Sequence, residues 1–417
     1  MPRTASSFPS PTGLRLIFLN RYFHPDVSAT SQLASDLVFA LAAQGCDITV
    51  ISSAQRYDDP HAALPAREQH AGVRILRVGV TRFGRNRIAG RLLDYGGYFI
   101  GACVALWRVA RRGTVVIAMS DPPLLGVPAG WICRRRHALL VQWCQDVLPE
   151  VAVAMGALRP GRLARALQAL RDRSLRASAR VVTISDRMAA RLTQAAGRPV
   201  DVIPNWALEE ASASEAERAA LRAEWRLGSS PVIGYAGNMG RAHRLTELLD
   251  AAALLRADCA MQWLFVGGGA QRAALAAQAA RLQLDNVHFQ PYQPRTRLAA
   301  MLGAADLQVV SLDPALDGLI LPSKFVGLLA LGRPVLWLGD PEGEVGRLVR
   351  DWQCGLCVAP GDPAALATAL RALFAAESAG QAPLRRMGER ARALWAERFR
   401  RDDALAAWSR VLREVAA

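Results

Sequence analysis

The chain contains one lysine, Lys324, although lysine and arginine together number 51. A lysine ammonium is a compact point charge, whereas an arginine guanidinium is a wide planar fork, so lysine suits a tight site against a phosphate. Pro322 and Ser323 precede it, and both residues are typical of the first turn of a helix, whose positive end attracts anions. The pattern predicts that Ser323 and Lys324 together bind a diphosphate, with Ser323 able to cap the helix.

A glycine-rich loop, Gly237-Asn-Met-Gly-Arg241, is a second place where a phosphate could bind. Glycines allow the backbone to approach a phosphate, and Arg241, His243 or Arg244 could add positive charge. The glycines at 267–269, with Gly268 at their centre, form another sharp turn, which a tight strand-to-helix connection would also explain. The spacing matches neither G-x-G-x-x-G nor a Walker motif, so a dehydrogenase or P-loop kinase is not indicated.

Polar side chains stand where predicted strands end: Asp121, Gln145, Asp146, Asp313 and Asp317. Ligands of open α/β sheets bind beyond the carboxyl ends of strands, although aspartate at such positions also caps helices and loops. Asp313 and Asp317 could therefore hold sugar hydroxyls or cap a loop. The sequence has no Asp-x-Asp pair, G-x-S-x-G or H-E-x-x-H, so it indicates no catalytic metal, serine hydrolase or zincin.

The elements that position these residues alternate between short apolar strands and amphipathic helices, and the pattern restarts at Pro231. Among the predicted elements are a polar loop over 55–69, a helix over 246–255, a strand over 335–338, a helix from Glu344 and a helical run over 384–415. A length of 417 residues suits two domains. We predict an α/β protein of two doubly wound, Rossmann-like domains that face a cleft. The predicted divisions are a disordered tail at 1–13, a first domain at 14–205, a second domain at 206–395, and a helix at 396–417 that packs back on the first domain.

The net charge of +15 is carried by arginine and could attract nucleic acid, anionic membrane or phosphorylated substrates. Nucleic-acid binding is not favoured, because no basic motif is interleaved with aromatic residues. The segment 96–110 is apolar with aromatic and arginine flanks, so it is either a helix in a membrane interface or a core helix. The arginine-rich segment 159–180 has a basic face that is either solvated or turned to an anionic membrane.

The seven cysteines are scattered through apolar segments, which indicates a reducing compartment rather than a disulfide framework. Cys354 and Cys357 have C-x-x-C spacing, but no second pair completes a zinc site, so a buried structural role is expected. The polar, Pro/Ser-rich N-terminus lacks the apolar core of a signal peptide. We expect a cytoplasmic protein.

Taken together, the motifs resemble the GT-B glycosyltransferases of family 4, and within them the WbuB/WcaI-like branch of bacterial O-antigen, capsule and exopolysaccharide assembly. The resemblance covers nearly the whole chain in order. It is carried by NRYFHPDVSATSQL (20–33), SDPPLLGVPAG (120–130), WCQDVLPEVA (143–152), VIPNW (202–206), YAGNMGRAHRL (235–245), FVGGG (265–269), LPSKFVGLLALGRPVL (321–336) and GEVGRLVRD (343–351).

The resemblance implies a retaining, metal-independent transfer of a hexose, deoxy or N-acetylated forms included, from a nucleotide-diphosphate sugar bound to the second domain. The acceptor it implies is a polyprenyl-diphosphate-linked saccharide at the inner face of the cytoplasmic membrane. Arg241 and Lys324 would contact the donor diphosphate, with Gly237 and Asn238 in the loop beneath it. Ser323 would add a hydroxyl or a backbone amide, and Asp146 would lie near the reacting sugar.

The sequence also departs from the family pattern. Two glutamates common in family 4 are absent, with Leu319 and Gly327 near their places, and Asp317 is the candidate substitute for the first. The loop lysine that is usual in the family is absent, and His243 or Arg244 lies near its place. Gln145 stands where the family often has a histidine in the acceptor domain. Two alternatives therefore stay open: a GT-B-shaped nucleotide-sugar epimerase, and a non-catalytic sugar-nucleotide-binding partner in polysaccharide assembly. The sequence does not indicate the oligomeric state.

Overall fold

The computed structural model describes residues 11–56, 59, 64–79, 88–207, 213–256 and 261–417, with the side chains of 88–94 excepted. The chain divides into two compact units. Unit 1 comprises Met1–Asn205 and Asp402–Ala417, and unit 2 comprises Trp206–Arg401. The first ten residues of the predicted disordered tail lie outside the described residues.

Unit 1 is built on an eight-stranded sheet whose central strands are mostly apolar, as expected of parallel strands covered on both faces. The strands follow the order β3-β4-β2-β1-β5-β6-β7-β8, and all pairs are parallel except β3 with β4. They are β1 (Arg15–Leu19), β2 (Asp47–Ser53), β3 (Arg67–His70), β4 (Val73–Val78), β5 (Val115–Met119), β6 (Leu139–Cys144), β7 (Arg180–Thr183) and β8 (Asp201–Val202).

Amphipathic helices cover this sheet. In α2, Tyr98, Ala102 and Leu106 recur at helical spacing and are at most 1% exposed. The helices are α1 (Ala29–Ala43), α2 (Ile88–Val109), α3 (Gly126–Arg136), α4 (Glu150–Ala154), α5 (Arg162–Ala177) and α6 (Asp186–Ala196).

Unit 2 contains a six-stranded parallel sheet in the order β11-β10-β9-β12-β13-β14. Its strands are β9 (Val232–Ala236), β10 (Gln262–Val266), β11 (Val287–Gln290), β12 (Leu307–Ser311), β13 (Val335–Leu338) and β14 (Gly355–Val358). Its helices are α7 (Glu215–Glu224), α8 (Thr246–Leu255), α9 (Arg272–Arg281), α10 (Leu298–Gly303), α11 (Lys324–Ala330), α12 (Glu344–Asp351), α13 (Pro363–Ser378) and α14 (Pro383–Arg398), with single 3-10 turns at Arg295–Arg297 and Pro314–Leu316.

The last helix, α15 (Arg401–Ala416), returns the chain to unit 1. Trp408 packs edge-on against Trp143 of β6, with 4.8 Å between the ring centroids. Glu414 forms an ion pair of 2.9 Å with Arg180 at the start of β7. The buried tryptophan pair fixes the helix, since the exposed ion pair contributes little.

Each sheet has one point where the direction of strand addition reverses, and ligands of doubly wound sheets bind beyond the strands at that point. In unit 1 the chain moves from β1 to β2 on one side and returns with β5 on the other. In unit 2 the reversal lies between β9 and β12. The carboxyl ends of these two strand pairs are therefore the places to look for functional side chains.

Two elements differ from the sequence predictions. The loop predicted over 55–69 runs into the short strand β3, whose polar, mostly exposed residues give no apolar alternation to reveal it. The helical run predicted over 384–415 is interrupted at Phe399, where α14 ends. In the part of the chain that the structure describes, none of the helices combines the length and hydropathy needed to cross a bilayer.

Candidate functional site

Lys324 is the first residue of α11, and its ammonium group is buried without a hydrogen-bond acceptor among the described residues. The Nζ atom lies 3.5 Å from the centroid of the Tyr235 ring, so a cation–π contact takes the place of an ion pair. Burial lowers the pKa of Lys324 to about 7, because the charged form loses its hydration. A buried cation that lacks a counter-ion is suited to an anionic ligand.

Tyr235 holds this ammonium group because it is fixed at both ends. It lies in β9, is 1% exposed, and its hydroxyl donates a 2.7 Å hydrogen bond to the carbonyl oxygen of Asn238. Burial raises the pKa of the phenol, so it stays neutral. Sequence reasoning missed Tyr235, although its place one residue before the end of a strand leading to a glycine loop could have indicated it.

The two glycine turns pack against each other at the carboxyl ends of β9 and β10. Gly237 has a φ of +129°, and a β-carbon there would lie 3.3 Å from Lys324 Nζ. Gly267 has a φ of +127°, and a β-carbon there would come within 2.2 Å of the Gly237 carbonyl oxygen. The carbonyl of Gly268 accepts a 2.6 Å hydrogen bond from the Met239 amide. Positions 237 and 267 require glycine, and the hydrogen bond from Met239 holds Gly268 against the loop beside Lys324.

Asn238 and Arg241 complete the loop and are both exposed. The Asn238 side chain occupies the space beside Gly269, where a β-carbon would lie 2.4 Å from its Oδ1 atom. Arg241 has no ion-pair partner among the described residues. The loop therefore offers a glycine backbone, one side-chain amide and one guanidinium to a ligand.

His243 and Arg244, predicted as possible sources of positive charge, supply little. Burial first, and then the neighbouring Lys324, lower the pKa of His243 to about 4, so the imidazole is neutral. Its Nδ1 atom lies 2.6 Å from the Ser311 carbonyl oxygen. Arg244 forms ion pairs with Glu247 at 3.0 Å and Asp313 at 3.5 Å. Burial keeps His243 uncharged, and two carboxylates offset the charge of Arg244. The sequence revealed neither effect.

Asp317 and Asp313 serve as caps. The Oδ1 atom of Asp317 accepts a 3.1 Å hydrogen bond from the Glu344 amide at the start of α12. Asp313 accepts one of 3.0 Å from Ala315. These contacts favour the capping interpretation over a contact with sugar hydroxyls.

The expectation that Ser323 caps α11 is wrong. Ser323 already has helical dihedral angles, with φ −58° and ψ −30°, and its side chain makes no capping hydrogen bond. A capping serine needs an extended backbone to direct its hydroxyl at the first-turn amides. Ser323 is exposed beside Lys324, so its hydroxyl is available to a ligand.

In unit 1, Asp146 follows β6. Burial, and to a smaller extent the neighbouring Asp121 carboxylate, raise the pKa of Asp146 to about 6. Gln145 is committed to structure, because it exchanges two hydrogen bonds of 3.0 and 2.8 Å with Asn205. Of the neighbours Gln145 and Asp146, Asp146 is thus the one that can exchange a proton near neutral pH.

The described cysteines are free, and Cys354 of the C-x-x-C pair is buried, as the sequence indicates. Burial raises the pKa of Cys354 to about 12 and that of Cys357 to about 11, so both stay protonated. Among the described residues, no cluster of His, Cys, Asp or Glu is arranged to hold a metal ion.

Two family models match the chain. Residues 29–206 match the glycosyl transferase 4-like domain, and residues 230–376 match glycosyl transferases group 1. The probable glycosyltransferase WbjE of Pseudomonas aeruginosa is 27% identical over 370 residues, which are 85% of this chain and 88% of that protein. The putative colanic acid biosynthesis glycosyl transferase WcaI of Escherichia coli K12 is 24% identical over 373 residues, covering 86% and 91%.

Solved structures share the fold at lower identity. Sucrose-phosphate synthase from Thermosynechococcus elongatus has a TM-score of 0.73 at 18% identity and covers 96% of this chain and 98% of its own. Anabaena Alr3699/HepE in complex with UDP and glucose has a TM-score of 0.71 at 17% identity, covering 96% and 100%. WaaG, described as a glycosyltransferase involved in lipopolysaccharide biosynthesis, has a TM-score of 0.62 at 18% identity, covering 91% and 94%.

Proposed function

Because the chain belongs to the family 4 glycosyltransferases of GT-B fold, we propose that it transfers a hexose from a nucleotide-diphosphate sugar to a lipid-linked saccharide in bacterial polysaccharide assembly. The single observation that carries the donor half of this proposal is the buried, unpaired ammonium group of Lys324 beside the Gly237 turn. The acceptor half rests on the surface of unit 1.

The donor diphosphate binds at the carboxyl ends of β9 and β12. Lys324 contacts it from the start of α11, Arg241 and the Asn238 amide contact it from the loop after β9, and the Ser323 hydroxyl adds a donor. Gly237 and Gly268 leave room for the phosphates because neither has a side chain. Similarity to a protein crystallised with UDP and UDP-glucose supports a nucleotide-sugar donor.

Transfer proceeds with retention at the anomeric carbon. The bond between that carbon and the diphosphate oxygen breaks, the acceptor oxygen bonds to the carbon, and the acceptor proton passes to the departing phosphate. Lys324 stabilises the negative charge that develops on the leaving group, and a cation in a water-poor site does so more strongly than one in solvent. The proposal assigns this charge stabilisation to Lys324 and Arg241 rather than to a metal ion, and Asp146 to the acceptor side.

An exposed apolar surface of unit 1 supports a membrane-borne acceptor. Ile100, Val104 and Trp107 lie on one face of α2 and are 69%, 44% and 40% exposed, and Trp131 of α3 is 46% exposed. The two tryptophans stack with 5.7 Å between ring centroids. We call these four residues the tryptophan patch. Tryptophan prefers the headgroup region of a bilayer, so the patch suits an interface.

Arginines surround the tryptophan patch. Arg135 lies over Trp131 at 5.0 Å and Arg136 over Trp107 at 5.6 Å. Arg108, Arg111 and Arg112 at the end of α2 are exposed. Basic residues next to an apolar surface favour anionic lipids. We therefore propose peripheral association with the inner face of the cytoplasmic membrane, where a polyprenyl-diphosphate-linked acceptor would be found.

The proposal is tested by incubating the protein with UDP-, GDP- and TDP-sugars, with and without a lipid-diphosphate-linked saccharide. We expect free nucleotide and extended lipid only when donor and acceptor are both present. Conversion of the donor alone would instead indicate an epimerase. Tight donor binding without turnover for any acceptor would indicate a non-catalytic partner.

A further inference from the structure

Arg21 lies at the reversal point of the unit 1 sheet, two residues beyond the end of β1. Its amide donates a 2.9 Å hydrogen bond to the carbonyl of Asp121, which follows β5, and its carbonyl accepts one of 2.7 Å from Ser53 at the end of β2. The backbone of Arg21 is thus tied to both neighbouring strands, which fixes the side chain at the place where ligands of such sheets bind.

The guanidinium of Arg21 is buried but poorly satisfied. The residue is 2% exposed, and its recorded side-chain hydrogen bond runs from Nη2 to Gln55 Oε1 at 3.2 Å. The Nε atom is buried with no acceptor among the described residues. The guanidinium carbon lies 4.4 Å from the Tyr95 ring centroid and 5.1 Å from that of Tyr22. Aromatic faces hold a cation in place without satisfying its N–H donors.

Other buried arginines of unit 1 have what Arg21 lacks. Arg77 donates to the Glu68 carboxylate at 2.6 Å, and Arg171 forms 2.6 Å ion pairs with Glu150 and Asp172. Arg21 has the neutral amide of Gln55 in the corresponding role, and no carboxylate of the described chain forms an ion pair with it. A buried charge without such a partner is strongly destabilising unless a ligand supplies one.

Two further polar atoms near Arg21 lack partners. Asn20 Oδ1 and Ser52 Oγ are buried without a hydrogen bond among the described residues, while Asn20 Nδ2 donates to the Tyr22 carbonyl at 2.7 Å. The backbone ties Asn20 and Ser52 to the same strand ends as Arg21, since the Asn20 amide donates to the Ile51 carbonyl. The strand ends beside Arg21 therefore carry an amide acceptor and a hydroxyl in addition to the cationic donor, and such a set suits an oxyanion next to sugar hydroxyls.

We propose that Arg21 binds an oxyanion of the acceptor, a phosphoryl or a carboxylate group, at the carboxyl ends of β1 and β5. The inference rests on the proposed function, because it names what the acceptor of that reaction must carry. It assigns the recognition of acceptor charge to unit 1, separately from the donor diphosphate at Lys324. The residue acts in binding and orientation and takes no part in bond breaking.

Binding is measured by calorimetry with three probes: geranyl diphosphate, methyl glucuronide and the neutral alcohol geraniol. We expect one of the two anions to bind, and Arg21→Gln to weaken it about 10- to 100-fold, the usual size for a charge-assisted hydrogen bond. Which anion binds distinguishes a phosphoryl from a carboxylate acceptor. UDP is added at saturating concentration to occupy the donor site, and Arg191→Gln, at an exposed position of unit 1, is the matched control that should leave this affinity unchanged.

A second variant, Gln55→Glu, keeps Arg21 in place and offers it a carboxylate within the chain. It therefore distinguishes the loss of a free charge from misfolding of Arg21→Gln. We expect Gln55→Glu to keep or raise the melting temperature and yet to bind the anion more weakly. The proposal is overturned if neither anion binds, if both variants bind it as the parent does, or if Arg191→Gln weakens binding as much as Arg21→Gln does. Anion binding that depends on Arg21 in a protein without transferase activity would refute the proposed function and leave this inference standing.

Discussion

The Nζ atom of Lys324 lies 3.5 Å above the ring of Tyr235, and a β-carbon at Gly237 would approach it to 3.3 Å. The space around the ammonium group is therefore narrow on two sides. A planar guanidinium is wider than an ammonium and would displace the ring or the glycine turn. This explains physically why a chain that otherwise uses arginine has lysine at this position.

Lys324→Ala should lower kcat/KM for sugar transfer about 100- to 1,000-fold, because it removes a preorganised charge from the leaving group. Lys324→Arg should also lose activity, since the fork does not fit between Tyr235 and Gly237. Steady-state release of nucleotide measures both. Near-normal activity of the alanine variant would remove Lys324 from the site, and near-normal activity of the arginine variant would refute the steric argument alone.

Donor binding should depend on pH through Lys324. Burial lowers the pKa of Lys324 to about 7, so the free protein already carries the ammonium charge below that pH. A bound diphosphate favours the charged form and raises that pKa, so above pH 7 binding must take up a proton. The affinity for UDP should fall about tenfold per pH unit between pH 7.5 and 9. Titration calorimetry in two buffers of different ionisation enthalpy should show uptake of about one proton, and none in Lys324→Ala.

Gly237→Ala should weaken donor binding at least about tenfold, because its β-carbon presses on Lys324 Nζ and its φ of +129° strains any other residue. Gly361→Ala is the matched control. Gly361 also has a positive φ, +100°, but a β-carbon there meets nothing within 4 Å. Thermal melting should report a loss of stability in both variants, whereas UDP binding should fall only for Gly237. Equal loss of affinity in the two would mean that backbone strain alone is responsible.

Replacement of Trp107 and Trp131 by serine should reduce binding to anionic vesicles about tenfold or more, since it removes the aromatic part of the tryptophan patch. Leu254→Ser, at a 51% exposed position of unit 2, is the control and should bind as the parent does. Sedimentation with vesicles with and without phosphatidylglycerol makes the comparison. Unchanged binding by the double variant would place the membrane contact elsewhere.

Relative to Asp146→Asn, the parent protein should lose free energy of unfolding as pH rises from 4.5 to 7. The pKa of Asp146 is about 6 in the folded chain, above its usual value of 3.8, so the folded state retains a proton that the unfolded state loses. Stability from this group therefore falls as pH rises from about 4 to 6, and the asparagine variant lacks this fall. Urea unfolding of the parent and the variant at pH 4.5 and 7 measures this difference in free energy of unfolding. A difference in free energy of unfolding, parent minus variant, that stays constant or rises between pH 4.5 and 7 would contradict the raised pKa of Asp146.

Much of the fold could be predicted because its strands and helices are short and clearly bounded. The helix from Thr246 to Leu255, the strand Val335–Leu338 and the start of α12 at Glu344 lie where the apolar patterns indicate. The edge strand β3 was missed because its exposed residues need no apolar face. Local pattern determines elements that bury a face and says little about those that do not.

The site was harder to predict because side-chain partners come from distant parts of the chain. His243 has the sequence of a charged loop residue, but it is buried against Ser311, and Arg244 is paired with Asp313. Tyr235 and Arg21 stand in stretches that carry the family resemblance, but the sequence assigns neither a role, and their roles follow from what surrounds them. Spacing along the chain could identify Lys324 and the glycine turns, whereas burial and charge compensation required the structure.

The most direct test uses the fact that Lys324 is the only lysine. A protein labelled with ¹³C at the lysine ε-carbon gives one lysine signal, which can be followed by NMR against pH with and without a nucleotide-diphosphate sugar. We predict that the free protein titrates near pH 7 and that the donor shifts the signal and raises the pKa. A signal that titrates near 10.5 and does not respond to any donor would contradict the assignment of Lys324 to the donor diphosphate.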